Sequence, residues 1–162
     1  MKPIYFPILL ALALTACESS QSETPAADAS AKHQLHRLNK SDLRIETQDG
    51  LHHFRVYMVT TADEMRLGLM HVSELPKDAG MLFAYGRNRQ ASMWMKNTLR
   101  PLDILFIKRD GTIANIHKNA SPLSLDSRPS DGLVFAALEI NGGLADKLGI
   151  SPGDRISHTI FK

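Results

Sequence analysis

Trp94, Lys96, Asn97 and Asp103 fall within the stretch "SMWMKNTLRPLDILFI", residues 92–107, and Trp94 is the only tryptophan of the chain. Read as a strand, this stretch sends Met93, Met95 and Asn97 to one face and Trp94, Lys96 and Thr98 to the other, because side chains alternate along a strand. Either assignment leaves a conflict. If the Trp face is buried, the Lys96 ammonium needs an acid inside; if the Met face is buried, Trp94 stands out as a flat apolar platform beside a cation. Asp103 and Glu139 each sit in an apolar run, "LDILFI" and "LVFAALEI", where an unpaired carboxylate is costly. Either is therefore expected to hold Lys96 at the rim of a cleft walled by Trp94.

A tryptophan face can stack on a sugar ring while lysine, amide, hydroxyl and carboxyl groups bond its hydroxyls. The favoured reading is thus a binding site for a small ligand, a glycan fragment or a small anion, built on Trp94, Lys96, Asn97, Thr98, Asp103 and Glu139. The plainer alternative is a structural ion pair beneath a core tryptophan, which would make this a structural or interaction domain. A third reading uses Lys96 with Asp103 or Glu139 for acid–base work in an enzyme. No His-Glu-x-x-His, Gly-x-Ser-x-Gly, phosphate-binding glycine loop or cysteine nucleophile supports it, so no catalytic residue is assigned and no cofactor is expected.

Methionines carry a fourth possibility. Met58, Met65, Met70, Met81, Met93 and Met95 place six in 38 residues, and thioethers are soft ligands suited to Cu(I). On one strand face Met93 and Met95 would lie roughly 7 Å apart, close enough to share an ion with His71, His52 or His53. Methionine is equally a filler of irregular cores.

Several elements must position these groups. "LRIET" and "HFRVYMV" alternate around Gln48-Asp49-Gly50 as a hairpin. Thr61 to Glu64 has capping-box spacing, with Met65 and Leu69 on one helical face and Gly68 able to end the helix. "MLFAY" and "ASMWM" read as strands. "LDILFIK" and "TIANIHK" form a second hairpin about Arg109-Asp110-Gly111. "LVFAALEI" is apolar on both faces and so belongs in the middle of a sheet. Gly143 to Leu148 can make a short helix, and "GDRISHTIF" returns as a strand. The expected fold is α+β, mostly β: one compact domain with a mixed, barrel-like sheet and two or three short helices.

The whole chain, 162 residues with 43% hydrophobic and 22% charged, exceeds what this domain needs. Its first 17 residues, "MKPIYFPILLALALTAC", join one lysine to an apolar stretch too short for a membrane span. Leu14-Thr15-Ala16-Cys17 resembles the lipobox of bacterial lipoproteins, and Cys17 is the only cysteine, so it forms no internal disulfide. The expected division is a signal peptide over residues 1–16, a lipidated Cys17 opening a flexible tether over 17–39, and a globular domain over 40–162. The lipoprotein resemblance, with Glu18 where aspartate would signal inner-membrane retention, implies a periplasmic address, lipid-anchored at the outer membrane. "ESSQSETPAADASAK" has no aliphatic residue larger than alanine and nothing to bury.

Lys2 is the only charged residue among the first 16, so their removal takes 19 basic against 17 acidic side chains to 18 against 17. That near balance suggests no nucleic-acid partner; the expected partners are the membrane, through the anchor, and a small ligand, with the domain a monomer. Arg87, Arg89, Lys96, Arg100, Lys108 and Arg109 against Asp103 alone form a basic run, a solvated rim able to attract an anion.

Gly68-Leu69-Met70, Gly80-Met81-Leu82-Phe83, Trp94 to Thr98, Pro101-Leu102-Asp103, Leu138-Glu139, Gly142-Gly143, Leu148-Gly149-Ile150 and Gly153-Asp154 occur in an order that resembles the uncharacterised family known as domain of unknown function 192. The resemblance runs from about Ile45 to Ile160. It implies a small, mostly β fold, often secreted or lipid-anchored, and no agreed activity, so function must come from the site.

Overall fold

The computed structural model describes residues 35–161; Cys17, the leader and most of the expected tether lie outside the described residues. The strands are β1 (Lys40–Thr47), β2 (Gly50–Val59), β3 (Ala79–Arg89), β4 (Ser92–Met93), β5 (Leu102–Ile107), β6 (Ile113–Ala120), β7 (Arg128–Pro129), β8 (Val134–Asn141) and β9 (Arg155–Ser157). Two short helices, α1 (Ala62–Leu67) and α2 (Leu144–Lys147), join them, and residues 35–37 are also helical. Seven strands form one sheet in the order β6-β5-β8-β3-β2-β1-β9, and β4 pairs with β7 in a small separate ribbon. The fold is mostly β, as the sequence pattern predicts.

Both expected hairpins are present: β1 runs antiparallel to β2 from Lys40↔Tyr57 to Thr47↔Gly50, and β5 to β6 from Leu102↔Ala120 to Ile107↔Ile113. The doubly apolar β8 lies between β3 and β5, where burial on both faces suits it. One pair, β2 with β3, is parallel, because residues 60–78 cross over between them and carry α1. The sheet curls until its two edges meet. Thr112 bridges Arg155, while the Ile113 and Ile156 amides bond the Asp154 and Gly111 carbonyls at 2.9 and 2.8 Å.

Each face of the curled sheet has its own core. Inside lie Leu43, Ile45, Phe54, Val56, Leu82, Leu105, Ile107, Leu138 and Ile140, closed by Ala145 of α2. Outside, Tyr57, Val59, Met81, Phe83, Leu102, Ile104 and Phe106 are covered by Leu69, Val72, Leu75 and Met95 from the connecting segments. Leu35 is 7% exposed and packs in this outer core.

Two sequence expectations fail locally. "ASMWM" is a strand only at Ser92–Met93, because Thr98 N bonds Met95 O at 3.0 Å and folds residues 95–98 into a turn with Asn97 at φ 54°. "GDRISHTIF" is a strand only at Arg155–Ser157, just the length that spans the gap to β1 and the Gly111 turn.

Candidate functional site

On the outer face a cleft of about 110 Å³ opens between α1 with its continuation and the segment 92–98. Met65, Gly68 and Met70 line one wall, Met93, Trp94, Lys96 and Thr98 the other, with Phe83 and Glu139 from the sheet also lining it.

The first wall is fixed by a complete capping box. Glu64 N bonds Thr61 Oγ1 at 3.3 Å, and Glu64 Oε2 accepts from Thr61 N at 2.9 Å and Thr60 N at 3.0 Å. These backbone bonds hold the Glu64 carboxyl below its ordinary range. Gly68 stops the helix at φ 50°, where a Cβ would stand 3.2 Å from the Phe83 ring, so the chain turns close over the sheet. The second wall is tied to the first: His71 N bonds Asn97 O at 2.8 Å, and Asn97 Nδ2 reaches the Met70 sulfur at 3.9 Å. It is also tied to the chain beyond β6, since Met95 N bonds Ser124 O at 2.9 Å and Leu123 N bonds Thr98 O at 3.1 Å.

Glu139 is 4% exposed. It stands between Met81 on β3 and Ile104 on β5, and makes no hydrogen bond or ion pair among the described residues. Burial alone pushes its carboxyl up to about 8, because desolvation penalises the charged form. Tyr85, whose hydroxyl lies 3.7 Å from the Met93 sulfur, is pushed up to about 12, chiefly by burial, with Arg89 opposing and the Glu139 charge adding.

Trp94 is 49% exposed, and the Lys96 ammonium lies over its ring, 5.4 Å from the centroid. This is the exposed-platform alternative of the sequence reading. The expected ion pair is not formed: Lys96 lies within bonding reach of neither acid and is steadied by the indole face instead. Asp103 is excluded by geometry. It pairs with Ile140, one residue along from Glu139, so its side chain points into the opposite core. There Asp103 Oδ1 accepts from Asn119 N at 2.7 Å and Gly143 N at 3.0 Å, and Oδ2 from Ala145 N at 2.7 Å. Asp103 is a clamp on the turn entering α2, and the buried acid in the cleft is Glu139 alone.

The methionine pairing also changes. Met95 is fully buried and Met93 faces the cleft, so the turn after β4 separates the two that strict alternation would join. His71 is exposed and does not line the cleft. Met65 and Met70, not assigned as ligands from sequence, do line it; the available signal was the i, i+4 spacing of Met65 from Leu69 and the glycine stop after Leu67. Among the described residues no three His, Cys, Asp or Glu side chains group as a metal site.

Two solved structures resemble the chain over most of its length. One, a protein of unknown function from Novosphingobium aromaticivorans DSM 12444, is 38% identical with a TM-score of 0.75, covering 85% of this chain and 99% of its own. The other, described as a "putative transcription regulator" from Sinorhizobium meliloti 1021, is 42% identical with a TM-score of 0.72, covering 74% of this chain and 94% of its own. No curated protein matches the chain. The family model described as Uncharacterized ACR, domain of unknown function 192, matches residues 43–158. The chain belongs to this uncharacterised family, as its Trp94-to-Asp103 signature implies.

Proposed function

We propose that the domain is a small-ligand binding module of the bacterial envelope, held by a lipid on Cys17 at the periplasmic face of the outer membrane, with the Trp94 cleft as its site. The observation that carries the cleft reading is Glu139: its carboxyl, 4% exposed and unpaired among the described residues, has only the gap beside a half-exposed tryptophan from which to be hydrogen-bonded. A ligand that brings a hydroxyl or amide donor to Glu139 relieves the cost of that burial.

The volume limits what enters. About 110 Å³ is well below the roughly 300–1,000 Å³ of pockets that enclose whole drug-sized ligands, so only a substituent goes in while the rest lies outside. A sugar ring resting on Trp94, with an exocyclic group reaching toward Glu139 and Lys96 bonding an oxygen at the rim, satisfies both limits. Diacetylchitobiose, titrated into the protein while Trp94 emission is followed, tests this. The expected result is a saturable change lost in Trp94→Ala and weakened about tenfold or more in Glu139→Gln. No saturable change at millimolar sugar sinks the glycan reading.

A further inference from the structure

Three methionines line this cleft, and the carboxyl-and-indole reading does not use their thioethers. Met65 on α1, Met70 just beyond it and Met93 at the end of β4 all line the gap, arriving from two segments on opposite walls. Met81 and Met95 fill the outer core and are fully buried; Met65 and Met93 pack against its edge but, like Met70, stay only partly buried and keep a side open to the cleft.

Two of the three sulfurs have an oriented polar neighbour, Tyr85 Oη at 3.7 Å from Met93 and Asn97 Nδ2 at 3.9 Å from Met70. Contacts this weak add little energy, but they restrict side chains that otherwise roam three rotatable bonds. A thioether has two lone pairs, so one remains for a ligand. The left-handed turn at Asn97 and its bond from His71 N hold these walls together.

We propose that the sulfurs of Met65, Met70 and Met93 form a binding site for Cu(I). Neutral thioethers select a soft ion, since hard divalent cations require oxygen ligands and zinc favours thiolate or imidazole. Lys96 at the rim adds selectivity: its ammonium opposes a doubly charged ion more than a singly charged one, and as an exposed group it is screened enough to admit the latter. Trp94, beside Met93 at the mouth, limits water and reports on occupancy. The inference rests on the cleft being a ligand site, as proposed above, but on different side chains.

The test uses the chain carrying Cys17→Ser, so that no cysteine sulfur competes, without oxygen, and with Cu(I) presented by a colorimetric chelator of micromolar affinity. The protein should withdraw one equivalent of copper and lose Trp94 emission as it does so. The Met65→Leu, Met70→Leu, Met93→Leu triple variant should melt close to the parent, since leucine nearly conserves the volume, and hold copper at least about a hundredfold more weakly. If the triple variant does not fold, each single Leu variant that does should lose about tenfold, while Met81→Leu, in the packed core, should lose none. Failure of the parent to compete with the chelator, or retention of its affinity by the folded Leu variants, overturns the inference. Glu139→Gln separates the two readings: it should weaken the sugar and leave copper within about threefold. Saccharide binding without copper binding overturns the thioether site and leaves the cleft standing; a folded chain that takes neither overturns both.

Discussion

Two acidic residues one strand apart have opposite fates. Asp103 accepts hydrogen bonds from three backbone amides; Glu139, with no such donors, is left in apolar surroundings that favour its neutral form. That neutral state gives stability a pH dependence of definite sign. Between its ordinary 4.5 and its folded value of about 8, Glu139 binds more protons folded than unfolded. Its contribution is therefore complete below about pH 4.5 and declines as pH rises toward 8, by at most ~1.4 kcal/mol per unit. Glu139→Gln should lack this decline. Guanidinium denaturation of both proteins across pH 5 to about 8.5 checks it, because the difference between them isolates the one carboxyl from the other titrating groups. A difference that does not vary with pH would mean that the carboxyl is well solvated.

At the scale of elements, what could be read from the chain depended on whether the signal was local. The capping box before Met65, the hairpins at Gly50 and Gly111, and the doubly apolar β8 each rest on spacing within a few residues, and each formed as expected. The stretch after Ser92 misled because its turn, closed locally by Thr98 bonding Met95, is also held from outside, by Met95 bonding Ser124 and Asn97 bonding His71, and no alternation within it reveals distant partners. Asp103 misled for the same reason: which face it takes depends on register with β8. The site was therefore legible in Trp94, Lys96 and Glu139, and not in Met65 or Met70, which only the crossover from β2 to β3 brings opposite Met93. That dependence makes α1 a lever on the cleft. With only six residues and no fully buried side chain, it leans on its cap, so Thr61→Ala should cost about 1 kcal/mol in a denaturant melt and weaken occupancy of the cleft, because Met65 and Met70 lose their fixed position. An unchanged melt together with unchanged affinity would show that the outer wall is held by its packing alone.

At the scale of the whole molecule, the cleft lies on the outside of the curled sheet, because the inside is filled and closed by α2. The chain enters the body on that same outer side: Leu35 packs with Tyr57 and Leu75 in the core that also holds Met95 and Phe83. Lipidation adds about 0.8 kcal/mol of membrane affinity per buried methylene, so the lipid proposed on Cys17 would hold the protein at a membrane without help from a domain whose charges nearly balance. Cys17→Ser should move the protein from the membrane to the soluble fraction, abolish incorporation of a palmitate analogue, and leave the denaturant midpoint of the domain unchanged. Persistence of the variant in washed membranes at the parent's level would mean that the domain itself, and not Cys17, holds the protein there.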